Sequence, residues 1–298
     1  SLCPFHRMKT KAKIFSFELF PPKTDKGVAR LHETVQTLNA HNPAYFSVTY
    51  GAGGSTRDLT HDAAYTLRQS SGLPVAAHLT CVGASKAETL ATAQRFAKAG
   101  VTDIVALRGD PQEGTDKFEA HPDGFANSCD LIEALAQTGQ FTIRVGAYPD
   151  KHPEAATQAD NIDWLKRKID AGADEAITQF FFEAETFLRF RDACADAGIT
   201  APITPGILPV TNWKSARKFA LRCGTEIPAW LDQAFDAAIR DDRHDLLAQA
   251  LCAELCSDLV DEGVDALHFY TLNRPDLTRE ICNALGVTQQ TMGVENVA

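Results

Sequence analysis

One phrase recurs along this chain: an amphipathic segment, a glycine, and then a short apolar run. It occurs at Gly72, Gly100, Gly139, Gly172, Gly198 and Gly263. Glycine is favoured just past the end of a helix, because it adopts the left-handed conformation without a Cβ clash. Each phrase therefore predicts a helix, its C-terminal cap and a strand.

Two further apolar runs precede these phrases, at residues 14–20 (IFSFELF) and 44–50 (AYFSVTY). They bring the predicted number of strands to eight. Between them, apolar residues recur at the spacing of three and four that marks one face of a helix lying on a sheet: Val28, Leu31, Val35 and Leu38.

Strands that alternate with helices of this length pair in parallel through right-handed crossovers, and eight such units can close into a barrel. An open, doubly wound sheet is the alternative. We favour a single α/β domain, a (β/α)8 TIM barrel over residues 14–287, because the units follow one another evenly without a linker. Residues 1–13 are predicted to be an N-terminal extension, and residues 288–298 a C-terminal tail. The longest irregular stretch is 111–128.

The charge and hydropathy of the chain argue against two classes of partner. Its formal net charge of −10 disfavours nucleic acid, which would require a basic face. No apolar run approaches the ~20 residues of a membrane-spanning helix, and the first fifteen residues lack a secretory signal, so a cytoplasmic location is expected. An anionic small ligand would need local arginines and lysines.

The cysteines and histidines do not form a metal-binding pattern. The eight cysteines lack CxxC pairs, and Cys252 and Cys256 stand four apart, as buried thiols do on one helix face. No HxxxH or HExxH pair occurs among the nine histidines. We expect reduced structural cysteines and no metal.

Two glycine-bearing segments approach nucleotide-binding patterns without meeting them. In residues 51–56, Thr56 stands where the dinucleotide fingerprint G-x-G-x-x-G requires its third glycine. Gly109 and Gly114 have the spacing of a phosphate-binding loop, but Thr115 stands where its lysine should be. A nucleotide would therefore have to bind through the loops of a barrel.

Polar residues concentrate at the predicted strand ends, and in barrels the carboxyl ends of the strands build the site. These residues are His78, Arg108, Asp110, Tyr148, His152, Gln179, Tyr270, Asn273 and Arg274. Taken singly, each also has a structural explanation. His78 could be a hydrogen-bonded core residue, and Asp110 could be a partner of Arg108.

Glu18 is the strongest candidate for chemistry. It lies inside the first predicted strand, between Phe17 and Leu19. A carboxylate in apolar surroundings is costly to keep charged, so its pKa rises towards values useful for proton donation. Among the aromatic residues, 180–182 are expected to be core, whereas Phe219 could stack on a planar ligand.

The ordered motifs of the chain resemble those of the bacterial methylenetetrahydrofolate reductases. They are FSFELFPPK, FSVTYGAGGS, AAHLTC, IVALRGDP, GAYPDKHPEA, LKRKIDAGADEAITQFFF, PITPGILPVTN and LHFYTLNR, and they run from about Ile14 to Gly286. The resemblance implies an FAD-containing TIM barrel that takes a hydride from NADH or NADPH. It also implies reduction of 5,10-methylenetetrahydrofolate to 5-methyltetrahydrofolate for methionine synthesis, and a homo-oligomer.

The resemblance assigns roles to five residues. Glu18 matches the general acid that protonates the folate ring nitrogen. Asp110 matches an aspartate beside the flavin that contacts the pterin and disfavours the reduced anionic flavin. Gln179 matches a residue that touches folate and nicotinamide in turn on one flavin face. Phe219 matches an aromatic that stacks on either substrate, and Arg274 would hold the anionic tail of the folate.

Other residues match positions that line the cofactors, Thr49 contacting the nicotinamide and the rest the FAD. They are Thr49, Tyr50, Ala52, His78, Arg108, Gly109, Ala126, Tyr148, His152, Ala155, Arg167 and Lys168. Ungapped alignment adds Asn161 and Trp164 where an aspartate and an asparagine are common, and neighbouring Asp160 and Asp163 are possible substitutes. Ser215 replaces a common folate-contacting glutamine.

Three questions stay open at this level. The sequence does not decide between NADH and NADPH, because no ribose-reading residue can be placed without a Rossmann unit. The same barrel could serve another flavin enzyme, such as one resembling proline dehydrogenase, or a cofactor-free lyase of a small acid. A folate or flavin carrier without activity is the third reading, although a carrier would not need Glu18, Asp110 and Gln179.

Overall fold

The apolar runs form one parallel sheet in the computed structural model, which describes residues 13–51, 57–111 and 114–286. The strands are β1 Ile14–Leu19, β2 Tyr45–Val48, β3 Val75–Thr80, β4 Asp103–Leu107, β5 Thr142–Ala147, β6 Glu175–Thr178, β7 Ile203–Thr204, β8 Gly206–Ile207 and β9 Ala266–Tyr270. The helices are α1 Asp25–Asn39, α2 Arg57–Ser71, α3 Lys86–Lys98, α4 Ser128–Gln137, α5 Gln158–Asp170, α6 Ala184–Asp196, α7 Trp213–Cys223, α8 Ala229–Arg240, α9 His244–Asp261 and α10 Pro275–Ala284.

The sheet closes on itself. Its strand order is β7-β6-β5-β4-β3-β2-β1-β9-β8, and every pairing between these strands is parallel. The two end strands, β7 and β8, follow each other in the chain with only Pro205 between them. The two edges of the sheet therefore meet at Pro205. This closure confirms the predicted barrel and is incompatible with an open, doubly wound sheet.

The seventh predicted strand is divided in two. β7 pairs with β6, whereas β8 pairs with β9. Proline has no N–H to donate to a sheet ladder, so it interrupts a strand at its position. The carbonyl oxygen of Pro205 still accepts the His268 N–H at 3.0 Å, and the Gly206 N–H donates to Thr178 Oγ1 at 2.9 Å.

The predicted helix caps are confirmed. The six glycines that end the recurring phrases all have positive φ angles, between 65° and 124°. In α1, the predicted apolar stripe is correct at Leu31, Val35 and Leu38, which are buried, but wrong at Val28, which is 41% exposed. Val28 lies in the first turn of α1, near the end of the helix.

The units are not evenly spaced, contrary to the prediction. Three helices, α7 to α9, separate β8 from β9. Their apolar faces form a second core, in which the rings of Trp213 and Phe235 stack at 4.5 Å and 8°. Gly224, with φ 73°, ends α7, and Pro228 precedes α8. This glycine does not precede an apolar strand, so the recurring phrase did not reveal the extra helices.

Side chains alternate between the two faces of the strands. On β1, Phe15, Phe17 and Leu19 pack in the main core. Ser16 and Glu18 occupy the alternate, inward positions and so face the interior of the barrel. The first and last predicted segments, 1–13 and 288–298, lie outside the described residues except for Lys13, and their boundaries stay predictions.

The cysteines and the length of the helices can be checked over the described residues. The seven cysteines there are free thiols, as predicted, and Cys252 and Cys256 are both buried on α9. None of the described helices is both long and apolar enough to cross a membrane.

We expect Gly206→Ala to destabilise the barrel closure. A Cβ at this position would overlap the carbonyl oxygen of Thr178 and the Tyr270 ring, and such overpacking costs about 1–3 kcal/mol. Gly146→Ala on β5 is the matched control, because its nearest neighbour would be Tyr148 Oη at 3.8 Å. Thermal denaturation should show a clearly lower Tm for Gly206→Ala alone, and equal Tm values would contradict this account of the closure.

Candidate active site

The carboxyl ends of the strands surround a cavity of about 840 Å³. This volume lies in the upper part of the range of about 300–1,000 Å³ found for small-molecule and cofactor sites. Most residues singled out from the sequence line it: Glu18, Tyr50, His78, Arg108, Gly109, Asp110, Ala126, Tyr148, His152, Ala155, Asn161, Trp164, Lys168, Gln179 and Phe219.

Glu18 lines the inner part of this cavity, within β1. Phe17 and Leu19 pack in the core on the opposite face of the strand, so they do not surround the carboxyl group as the sequence suggested. Glu18 instead lies in register with Ser47 on β2 and Tyr270 on β9. Burial raises the pKa of Glu18 to about 8, because its charged form loses solvation. The predicted direction is confirmed, but the barrel interior causes it.

His78 is a close titratable neighbour of Glu18. Its Nε2 lies 3.4 Å from Glu18 Oε1, and the two side chains are only 13% and 19% exposed. Burial lowers the pKa of His78 to about 4. Near pH 7 the pair is therefore a neutral imidazole beside a protonated carboxyl group, not an ion pair. A carboxyl group that keeps its proton near neutral pH is suited to general acid catalysis.

Arg108 forms a forked ion pair across the rim. Its Nη1 and Nη2 donate to the two carboxylate oxygens of Glu154 at 2.7 and 3.2 Å, and its guanidinium lies 4.7 Å from the centre of the Phe118 ring. The alternative in which Asp110 pairs with Arg108 is therefore wrong. Asp110 lines the cavity as an exposed residue after β4.

Lys168 places a buried cation in the cavity wall. Its Nζ donates to the carbonyl oxygen of Gly146 at 3.0 Å, and burial lowers its pKa to about 8. Among the described residues, no carboxylate forms an ion pair with it. An ammonium group has three donors, so Lys168 can bind an anionic group of a ligand in the cavity.

The start of α5 shapes the next part of the wall. Asn161 is buried, its Oδ1 accepts the His152 N–H at 3.1 Å, and its Nδ2 donates to the Tyr148 carbonyl at 2.9 Å. It therefore holds the loop after β5 in place. Trp164 and Asp160 also line the cavity.

An aromatic wall closes the side formed by β6 and α7. Phe219 is 38% exposed, and its ring stacks on buried Phe180 at 5.4 Å and 28°. Gln179 precedes Phe180 in the chain, and the side-chain oxygen of Gln179 accepts the Phe180 N–H at 3.1 Å. A partly exposed ring backed by a buried one is suited to stacking on a planar ligand.

Known proteins are similar to this chain over most of its length. The family model described as methylenetetrahydrofolate reductase matches residues 5–286. The chain belongs to the methylenetetrahydrofolate reductase family. It is 45% identical to the 5,10-methylenetetrahydrofolate reductase of Pectobacterium carotovorum subsp. carotovorum, over 91% of this chain and 90% of that protein. Identity to the Escherichia coli (strain K12) enzyme is 44%, with the same coverage of both chains.

One solved structure supports the fold alone. An uncharacterized protein from Clostridium thermocellum, described as binding two copies of 5-methyl-5,6,7,8-tetrahydrofolic acid, superposes with a TM-score of 0.56. The match covers 93% of this chain and 96% of that chain, at 13% sequence identity.

Two residues that the methylenetetrahydrofolate reductase resemblance assigned to cofactor binding do not line the cavity. Arg167 is exposed, and its Nε lies 3.1 Å from Asp163 Oδ2. Its guanidinium lies 5.5 Å from the centre of the Trp164 ring, which does line the cavity. Asp163 is thus paired with Arg167. Of the two aspartates named as substitutes for the flavin contacts, only Asp160 lines the cavity. Thr49 follows β2, where its backbone N–H donates to the Leu19 carbonyl at 3.0 Å.

The two substrate residues at helix starts also lie outside the cavity. Ser215 is exposed in the first turn of α7, where its N–H donates to Asn212 Oδ1 at 3.0 Å. Arg274 is exposed just before α10. Ala52 lies outside the described residues. The roles that the reductase family implies for these residues stay predictions.

The cavity also contains residues that the sequence did not single out. Glu154 pairs with Arg108, the Phe118 ring packs against the Arg108 guanidinium, and His268 lines the cavity from within β9. The family motif GAYPDKHPEA contains Glu154, so a search for a carboxylate partner of Arg108 could have found it. Phe118 lies in the irregular loop 111–128, where no periodicity places a side chain.

We expect Glu18→Gln to stabilise the protein in a pH-dependent way. Folded Glu18 keeps its proton up to about pH 8, whereas the unfolded chain releases it near the ordinary value of 4.5. Stability contributed by this group is therefore full below pH 4.5 and is lost as the pH rises to 8. The variant should gain on the order of 4 kcal/mol near pH 8 and little at pH 4.5.

Thermal denaturation at both pH values measures this difference. Glu33→Gln, on the exposed face of α1, is the control and should follow wild type at each pH. A Tm difference between Glu18→Gln and wild type that is the same at both pH values would contradict a raised pKa for Glu18.

Proposed function

We propose that the chain is an FAD-dependent enzyme that reduces 5,10-methylenetetrahydrofolate to 5-methyltetrahydrofolate with NADH or NADPH. The observation that carries this proposal is Glu18, a carboxyl group protonated near pH 7 in the cavity of a chain that belongs to this reductase family. Bound FAD would supply the hydride transfer from the nicotinamide to the folate. The side chains described above would supply the binding, orientation and proton transfer.

Glu18 is assigned the proton donation. The methylene bridge of the folate joins two nitrogens, and protonation of one nitrogen favours opening of the five-membered ring. Glu18 would give its proton to this nitrogen and become a carboxylate. The neutral imidazole of His78, 3.4 Å away, can then donate an N–H to this carboxylate. Proton transfer from a positioned acid contributes about 10²–10⁴-fold to a rate.

The cavity wall suits the two parts of FAD. The diphosphate needs cations, which Lys168 and Arg108 offer, and Lys168 has no carboxylate partner among the described residues. The planar rings need apolar surfaces, which Tyr50, Tyr148 and Trp164 provide. Asp110 on the rim would oppose further negative charge in the cavity.

The nicotinamide and the folate are assigned to the same wall of the cavity. Gln179 and Phe219 together offer an amide and an aromatic face on one wall. A nicotinamide and a pterin are both planar and carry amide-like groups, so either can use this wall but not both at once. Ping-pong kinetics follow from this exclusion. Arg274 would bind the anionic tail of the folate outside the cavity.

The reductase proposal is tested by the two half-reactions of Glu18→Gln. The protein should purify yellow, and anaerobic NADH or NADPH should bleach the flavin absorbance in both wild type and variant, because this half-reaction needs no proton from Glu18. Reoxidation by methylenetetrahydrofolate should slow by about 10²–10⁴-fold in the variant. Stopped-flow absorbance measures both rates.

Glu33→Gln, on the exposed surface of α1, serves again as the control and should show wild-type rates in both directions. A colourless wild-type protein that takes up no FAD would refute the cofactor assignment. Loss of both half-reactions in Glu18→Gln would indicate a different chemistry. Normal ligand affinity without turnover in wild type would indicate a carrier.

Cofactor binding is tested separately at Lys168. Lys168→Met should weaken the binding of FAD to apoprotein by about 10–100-fold, because a hydrogen bond to a charged group contributes roughly 1.5–3 kcal/mol. Quenching of flavin fluorescence on titration measures the Kd. Lys166→Met is the matched control, since Lys166 lies on the same helix and pairs with Asp170 at 3.4 Å outside the cavity. Equal Kd values for the two variants would remove Lys168 from the cofactor site.

A further inference from the structure

The interior of the barrel beneath Glu18 is unusually polar. Barrel interiors are normally filled by layers of branched aliphatic side chains. Here the inward positions of several strands carry groups that can donate and accept hydrogen bonds. We call five of them the polar column: Ser16, Tyr45, His78, Arg144 and His268. All but His78 are less than 10% exposed.

The middle of the column is held together by one hydrogen bond and two ring contacts. Ser16 Oγ lies 2.7 Å from His268 Nδ1, a hydrogen bond between β1 and β9. The rings of Tyr45 and His268 stack at 5.8 Å. The guanidinium of Arg144 lies 3.8 Å from the centre of the Tyr45 ring. Four strands thus contribute to one packed polar group.

The lower end of the column reaches solvent at the amino ends of the strands. Arg144 forms ion pairs with Asp103 at 2.7 Å and with Glu175 at 3.3 Å. These carboxylates begin β4 and β6, and their side chains are 17% and 23% exposed. The Asp103 and Glu175 carboxylates therefore lie between the solvent and the buried side chains of Tyr45, Ser16 and His268.

The upper end of the column reaches Glu18. His268, His78 and Glu18 all line the same cavity. Three buried hydroxyl groups have no protein hydrogen-bond partner among the described residues: Tyr45 Oη in the column, and Ser47 Oγ and Thr80 Oγ1 on inward positions nearby. Buried hydroxyls of this kind are normally satisfied by internal water. Water bound to them would bridge the space between the imidazole of His268 and the Glu18–His78 pair.

We propose that the polar column returns a proton from the base of the barrel to Glu18 after each turnover. This inference rests on the proposed function, in which Glu18 gives one proton to the folate nitrogen and is left as a carboxylate. One proton enters from solvent at the base, and one O–H bond re-forms on Glu18, so no electrons move and no other reagent is needed. Cofactor and folate in the cavity would cover Glu18 from the opposite side.

The protonation states of the column suit a relay. Burial lowers the pKa of His268 to about 3 and raises that of Tyr45 to about 12, so both are neutral near pH 7. Each then has a hydrogen to donate and a lone pair to accept with. The charged or titratable groups that face them are Arg144, Asp103 and Glu175 below, and Glu18, His78 and Tyr270 above. In this proposal Ser16, Tyr45 and His268 do not react with the folate themselves. They affect the reaction only by returning a proton to Glu18.

The test compares the first turnover with later ones in the FAD-loaded enzyme. Ser16→Ala and Tyr45→Phe each remove one hydroxyl from the column. Glu18 starts protonated, so a single reoxidation of reduced enzyme by methylenetetrahydrofolate should keep its wild-type rate. Steady-state kcat should fall about 10-fold, with a larger solvent deuterium isotope effect. A pH-indicator dye should show proton uptake slowed by the same factor after a single turnover.

Thr34→Val is the matched control, because it removes a buried hydroxyl on α1, outside the barrel interior. It should leave kcat, isotope effect and proton uptake at wild-type values. Should Ser16→Ala fail to fold, Tyr45→Phe, which removes a single atom, carries the test alone.

Two results would overturn the relay. One is wild-type kcat and proton uptake in the column variants. The other is a single-turnover rate that falls in parallel with kcat, which would mean that the column only holds Glu18 in position. In either case Glu18→Gln would still abolish folate reduction if the proposed function is correct. Retained folate reduction in Glu18→Gln would instead refute the acid, and the relay with it.

Discussion

Closure of the sheet around β1 is the constraint on which the other features depend. β1 bonds to β2 on one side and to β9 on the other, and the two ends of the sheet meet at Pro205. Closure turns the inward positions of every strand into an interior without bulk water. Glu18 is protonated near pH 7 because it lies there, and not because of its neighbours in sequence.

Closure at this point is sterically tight. Gly206 packs so closely against the carbonyl of Thr178 and the ring of Tyr270 that no side chain fits, and the Tyr270 hydroxyl donates to the same carbonyl at 2.5 Å. Tyr270 is also the strand neighbour of Glu18. The residues that close the barrel therefore also fix one wall of the space around the acid. A stable closure and an enclosed acid are two results of the same packing.

The interior exchanges some hydrophobic stabilisation for polar groups. A barrel filled with branched aliphatic residues would avoid the cost of burying His268, Tyr45 and Arg144, because a buried polar group is costly unless it is hydrogen-bonded or paired. The Tyr45 hydroxyl has no protein hydrogen-bond partner among the described residues, whereas His268 is bonded to Ser16. Arg144 meets this requirement through two carboxylates and an aromatic ring. Polar groups kept at such a cost are expected where chemistry uses them.

At the mouth of the cavity, charge is distributed unevenly. Arg108 is already neutralised by Glu154, whereas Lys168 is buried without a carboxylate partner among the described residues. An anionic ligand would therefore gain most from Lys168. To use Arg108 fully, it would have to compete with the Glu154 carboxylate. This asymmetry comes from the loop after β5 and the position of α5, and neither can be deduced from the residue types alone.

The sequence by itself determined the alternation of helices and strands, their glycine caps and the clustering of polar residues at one rim, because these depend on periodicity and on backbone preferences of single residues. It also indicated Glu18, for a reason that proved incomplete. Only the tertiary structure decided that Pro205 divides a strand, that Arg108 pairs with Glu154, that Arg167 and Ser215 are not among the residues lining the cavity, and that His78 and His268 both line it. Those outcomes depend on which side chains become neighbours across strands far apart in the chain, and no local pattern records that.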